Sequence, residues 1–499
     1  MSTSTQCVRT WAAAAFATAL AGCAVGPQYV RPQAPAIVLA SPQAAEFAAA
    51  DANANANADV APVAWWQVFD DEGLSRWIEA ALARNHDIRQ AQANLLAARA
   101  IFDERRLDRL PGVTSGAGYT RGIQQQASNG GQRSLSESWQ AGFDVQWEVD
   151  LFGRLDRLQR AAMARAEATQ AELEMTRLSI TAEVARTWFE AQGYRRRLEV
   201  TRQEADNWRE TVRLAQARLH AGAGLPEEVE NAQANLLRSE AELPALAAAL
   251  QQARHRLDVL AGQRPGQGGL PEPDAVRAAP LVARVPLGDV NRMILARPDV
   301  MQAERLLAAG VEDVGAATAD LYPRIDLGGF LGFFALRDGD FGSAASRAFQ
   351  IAPTVSWPAL RLGNARARLR GAEALSDGAM ARYEQVLLTA QQEVESAVTQ
   401  VVEQQRQLAG LLQAAQHAQA AFDISDRRYR AGAGSYQAVL ENQRTLFQLR
   451  RQIAQQEVDS QIHIVALYKA LGWNVPSPED AESLSSSAGR QAARHRSGA

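Results

Sequence analysis

The residues best suited to proton transfer or metal binding are six histidines, His86, His220, His255, His417, His463 and His495. None sits in an HExxH pair or near a cysteine, so no ligand set for a metal is visible and none is expected. The single lysine, Lys469, leaves no residue for P-loop or Schiff-base chemistry elsewhere. There is no GxSxG elbow, and no GxGxxG stands between a strand and a helix. Two Ala-Gly-Ala-Gly runs, 221–224 and 431–434, resemble phosphate-cradling loops only superficially. They lack a following Lys-Ser/Thr and fall between helices, where glycine terminates a helix; Gly222, Gly224, Gly432 and Gly434 are read as helix-ending turns. Glu227-Glu228 opens a helix, where acids favour the dipole without any catalytic role. No catalytic constellation or cofactor emerges, and an enzyme is not expected. A net charge of -4 over 499 residues argues against nucleic-acid binding, and a mean hydropathy of -0.25 against a bundle of membrane-spanning helices.

One reactive group remains, the thiol of Cys23. Residues 1–22 read as an export signal: Arg9, then an apolar run from Trp11 to Leu20 of about ten residues, half of what a spanning helix needs. Leu20-Ala21-Gly22-Cys23 resembles a bacterial lipobox, which implies cleavage before Cys23 and a covalent lipid on its sulfur. Cys7 leaves with the leader. Ala24, where an Asp would resemble an inner-membrane retention signal, favours the outer membrane. Residues 26–64, rich in Pro, Ala and Asn, read as a tether within a lipid-anchored N-terminal segment, 23–72.

The elements that follow occur twice. Asn85-His86-Asp87-Ile88 matches Arg297-Pro298-Asp299-Val300 at a shift of 212, as Pro111 matches Pro323. Trp147, Gly153 and Gly262 match Trp357, Gly363 and Gly472 at 210, as do the two glycine turns. Landmarks holding one register over most of the chain indicate internal duplication. The repeats are 73–262 and 288–472, separated by a Pro/Gly-rich linker, 263–287, and followed by a tail, 473–499. Each reads as helix, strand pair, very long helix, glycine turn, helix. The long helices start after Gly153 and Pro358 and run without proline to the turns, roughly 100 Å each at 1.5 Å per residue. Val184, Trp188, Ala191 and Leu198, and Val394, Val398, Val401 and Leu408, form narrow apolar seams at spacings of three and four.

The strand pairs are 112–125 with 137–151, and 324–337 with 346–357. From Trp139 to Leu151 apolar and polar residues alternate without a break, and Phe349 to Trp357 repeats the pattern. Such alternation gives a sheet with one apolar and one polar face. Four strands cannot satisfy their own edges, and the adjoining helices head away from the apolar face. Strands from several subunits closing into a barrel, apolar side to lipid, solve both problems. Trp139 and Trp147 suit the interfacial girdles.

The lipobox, the segment Val25-Gly26-Pro27-Gln28-Tyr29-Val30-Arg31-Pro32, the duplicated unit and Tyr429-Arg430-Ala431-Gly432 together resemble the TolC-type outer-membrane channel family, most closely its lipoprotein branch. The resemblance implies an α+β fold: a homotrimer whose twelve-stranded transmembrane barrel continues as a long periplasmic α-helical barrel. It further implies a periplasmic adaptor docked at the tip, a proton-driven inner-membrane transporter, and passive conduction of drugs or other small toxic compounds. On this likeness the gate tyrosine is Tyr429, its carboxylate partner is Glu228, and the lumenal acidic ring has one position at Glu441. Two departures stand out: Gly434 replaces the gate arginine, and Ala438 one acidic-ring position. A duct for protein secretion or metal export shares every feature; a periplasmic adaptor or structural coiled-coil lipoprotein without a pore shares the lipobox and the helices.

Overall fold

The computed structural model describes residues 25–33, 64–125, 133–267 and 290–473. The expected leader, Cys23, most of the tether and linker, and all but the first residue of the tail lie outside the described residues.

The helix expected before each strand pair is two helices. α1 (Glu72–Arg84) and α2 (His86–Leu107) are separated by Asn85; α5 (Val290–Leu295) and α6 (Pro298–Ala319) are separated by Ala296 and Arg297. The buried Asn85 explains the first break. Its side-chain oxygen accepts from the backbone N–H groups of Asp87 (2.8 Å) and Ile88 (3.1 Å), capping α2. Pro298 opens α6, where its missing N–H costs nothing.

The strands are β1 (Gly112–Gln125), β2 (Arg133–Val149), β3 (Arg324–Ala335) and β4 (Arg347–Ser356), paired antiparallel in chain order in one sheet. β2 begins four residues earlier than expected, because Leu135 and Glu137 continue the alternation opposite Ile123 and Arg121. The long helices are α3 (Arg154–His220) and α7 (Leu362–Arg430), the latter preceded by a short 3-10 turn at Ala359–Arg361; α4 (Pro226–Leu260) and α8 (Tyr436–Ala470) return from the glycine turns. All eight seam residues named above are buried, as a packed helical stripe requires.

The duplication extends to individual hydrogen bonds. Asn85 donates to the carbonyl of Leu260 (2.9 Å), and Arg297, its equivalent, to that of Ala470 (2.6 Å). The indole N–H of Trp147 donates to Arg109 O, and that of Trp357 to Leu321 O, both at 3.0 Å. Repetition of these bonds at shifts of 210 and 212 ties the two copies to one ancestral unit.

The chain divides into two compact units. One contains the sheet with residues 25–33, 93–170 and 302–385. Its N-terminal segment is fixed by a buried ion pair: Arg157 reaches Glu312 at 2.8 Å and donates to Val25 O, while Val25 N–H donates to Phe152 O. Tyr29 donates to the carboxylate of Glu304, which also receives Arg305. The other unit contains the glycine turns and the residues around Trp188 and Tyr468. There Asp71 caps α1 through Leu74 N–H and accepts the indole N–H of the buried Trp188 at 2.8 Å.

Candidate functional site: the glycine turns and the two-faced sheet

Each long helix ends in the same six-residue motif. Ala223 N–H donates to Arg218 O and Gly222 N–H to Leu219 O; Ala433 and Gly432 repeat this with Arg428 and Tyr429. These paired bonds require a left-handed residue, supplied by Gly222 (φ +71°) and Gly432 (φ +73°). At Gly434 a Cβ would lie 3.2 Å from Arg428 Cβ and Tyr429 N, tighter than an ordinary contact. The chain lacks a side chain where the resemblance places an arginine, and this backbone is packed for its absence.

A guanidinium reaches the site from the other repeat. Arg218, in the last turn of α3, donates to the Tyr429 hydroxyl, lies 4.8 Å above the Tyr429 ring centre and donates to Ala223 O at 2.9 Å. The Tyr429 ring packs on that of Tyr436, centres 5.3 Å apart, and Tyr436 donates to Thr211 O. Beneath them Trp208, Val212, Ala215, Ala232, Leu236 and Leu440 form a buried cluster. Burial pushes the Tyr436 phenol up to about 12; the Glu228 charge adds to the shift and Arg218 opposes it. Glu228 has one carboxylate oxygen buried without a hydrogen-bond partner, and no bond joins it to Tyr429 within the chain. Glu441 is exposed on α8, one residue past the buried Leu440. The structure thus brings Tyr429 together with Arg218 and Tyr436, places Glu228 beside them electrostatically, and sets Glu441 apart.

Sequence reasoning missed Arg218 and Tyr436. The repeat contained a signal for the arginine. Arg428 occupies the equivalent place and also donates to its turn carbonyl, Ala433 O, at 3.5 Å. Tyr436 had no such flag, since a tyrosine at a helix start is unremarkable until the tip packs around it.

The sheet is the second candidate. Residues paired across antiparallel strands share a face, so the register sorts the side chains. One face runs through Val145, Phe143, Leu331, Phe349, Ile351 and Val355, with Phe349 80% and Ile351 72% exposed. The opposite face presents Thr114, Gln140, Asp144, Gln146, Glu148 and Asp326. Phe330 and Phe334 interrupt it; the Phe330 ring lies over Gly142 and Gly332, where a Cβ would come within 3 Å of it. No described element covers the apolar face, and β1 and β4 each leave an unpaired edge. An uncovered apolar face of this extent marks lipid or a partner.

The family model described as outer membrane efflux protein matches residues 77–263 and 290–473, most of the chain and both repeats. The chain belongs to the outer membrane efflux protein family. It is 30% identical over 459 residues to outer membrane protein OprJ of Pseudomonas aeruginosa, covering 92% of this chain and 94% of that one. It is 29% identical over 464 residues to the solvent efflux pump outer membrane protein SrpC of Pseudomonas putida, covering 91% and 97%. The solved structure of the outer-membrane channel OprN superposes with a TM-score of 0.85 at 36% identity, covering 90% of this chain and 99% of that one. The chain is therefore an outer-membrane channel component of an efflux system, with the duplicated α+β fold read from its sequence. No helix among the described residues is long and apolar enough to cross a membrane.

Proposed function

We propose that three copies of the chain pool their sheets into a closed twelve-stranded barrel, apolar face to lipid and polar face to water. The helices continue it as a periplasmic tunnel. The observation that carries this reading is the pairing of an uncovered apolar face with two open strand edges, since closure removes both liabilities together. The channel passively conducts drugs and other small toxic compounds; relatives named for solvent, toluene and antibiotic efflux support that substrate class. The glycine turns dock a periplasmic adaptor linked to a proton-driven inner-membrane transporter. Arg218, Tyr429 and Tyr436 hold the tip shut, with Glu228 beside them, and three Glu441 carboxylates ring the mouth and attract cations.

Cys23 carries the lipid. Two residues further along the chain, Val25 N–H donates to Phe152 O just beyond the end of β2, at the helix-linked end of the sheet. In planar bilayers, purified protein should give discrete cation-selective conductance from a trimer. Correctly inserted trimers that never conduct would overturn the duct reading. Cys23→Ser should abolish metabolic palmitate labelling; retained label would overturn the anchor.

A further inference from the structure

We propose that the lipid-facing side of the sheet holds a specific site for an outer-leaflet lipid with a phosphorylated headgroup, gripped by Arg347 above a groove for its acyl chains. The proposal rests on the barrel reading above.

The groove is a hollow of about 750 Å³ on the apolar face, within the range of small-molecule sites. Its floor is small, Ala117 and Ala141, and its walls are Phe143, Leu331, Phe333 and Phe349. Arg347, the first residue of β4, lines the same hollow opposite Phe333 in register and is exposed. An arginine directed to lipid is costly at the bilayer midplane and tolerable only near an interface.

Register sets its height. The rows paired through Val149 and Ala141 are eight residues apart on β2, and the Ala141 row continues through Phe333 to Arg347. At about 3.4 Å per residue and a tilt near 40°, the two rows differ by roughly 20 Å in an apolar band about 25 Å tall. One row further, Tyr119 and Trp139 pack with ring centres 5.0 Å apart. Trp147 and Trp357 lie near the opposite margin. Arg347 therefore sits toward the hairpin end of the apolar band, in the register row next to the Tyr119 and Trp139 pair. Helices leave from the other end of the sheet, at Gly112, Val149, Arg324 and Ser356, so the hairpin end belongs to the outer leaflet.

The charge has no acid to meet. Arg121, also on this face, is paired with Glu137 at 3.0 Å. Arg347 makes no ion pair among the described residues, and the nearby hairpin acids Asp338 and Asp340 do not bridge to it. β4 is an edge, so in the closed barrel its neighbour is β1 of the next copy. All fourteen residues of β1 lack a carboxylate, so no register of that pairing supplies one. Residues 126–132 contain none either. No acid among the described residues is left to meet Arg347, so the counter-charge is assigned to a group outside the protein. At that height the anions are headgroup phosphates, whose oxygens match the guanidinium fork.

The test uses the intact assembly in nanodiscs of neutral phosphatidylcholine, titrated with bisphosphorylated lipid A or its dephosphorylated form and read by native mass spectrometry. Lipid A should bind, the dephosphorylated lipid at least tenfold more weakly. Arg347→Gln should remove that preference, Arg347→Lys should keep part of it, and conductance should stay unchanged. Inorganic phosphate at the same concentration should not displace lipid A, because the groove contributes. Equal binding of both lipids, an unaltered preference in Arg347→Gln, or displacement by phosphate alone would overturn the site. Loss of conductance in the unsubstituted protein would instead overturn the duct.

Discussion

Tyr429→Phe removes one hydroxyl and leaves its ring against Tyr436, so it isolates the bond from Arg218. A hydrogen bond to a charged partner contributes about 1.5–3 kcal/mol, and half-exposure of both groups puts this one at the lower end. About 1.4 kcal/mol multiplies the ratio of open to closed tips by about ten. Arg218→Gln removes more. The Tyr429 bond, the cation–π contact at 4.8 Å and the bond to Ala223 O all go, together about 2–3 kcal/mol, or about 30- to 150-fold. Because both substitutions break the same bond, the double variant should open scarcely further than Arg218→Gln alone, a coupling of about 1 kcal/mol. Arg428→Gln is the internal control. Its side chain makes only a 3.5 Å contact to Ala433 O, so it should shift the ratio less than about threefold. Single-channel open probability in planar bilayers reads all four. Opening by Arg428→Gln equal to that by Arg218→Gln, or additive effects of Tyr429→Phe and Arg218→Gln, would refute the latch.

Glu441→Gln should weaken block of the channel by multivalent cations severalfold, seen as a raised half-blocking concentration; unchanged block would remove the acidic ring. Arg157→Met should destabilise the protein by about 3–5 kcal/mol, since it strands the buried Glu312, while Arg157→Met with Glu312→Leu should recover most of that loss in thermal melts. Raising pH should destabilise the tip between the ordinary tyrosine value of about 10 and the Tyr436 value of about 12. A phenol whose folded value is raised stabilises the fold below pH 10, and that contribution fades as pH climbs through 12. Tyr436→Phe should flatten this alkaline loss in hydrogen exchange of residues 205–240.

Much of this fold is written in short-range patterns. Alternation from Trp139 to Leu151 disclosed the two-faced sheet because side-chain direction in a strand depends on neighbours alone. The seams through Val184 and Val394 disclosed the long helices for the same reason. The breaks at Asn85 and Arg297 carry only a local cap and a local proline, which the apolar pattern runs straight through, while the carbonyls of Leu260 and Ala470 that hold these two side chains lie far along the chain. At the tip, likeness to a known family nominated Tyr429 and Glu228, yet the group that meets Tyr429 is Arg218, 211 residues away. One arginine among so many carries no mark in the sequence; only the equivalent Arg428 in the second repeat sets it apart. Arg347 was equally hidden, because its isolation depends on which strands flank it and what they lack.

Electron cryomicroscopy of the detergent-purified protein tests the central claim most directly. The account requires a threefold ring with twelve strands around a continuous water-filled lumen, the apolar row through Phe143, Leu331 and Phe349 lying against the detergent belt. Density filling that lumen, or a subunit count other than three, would contradict it.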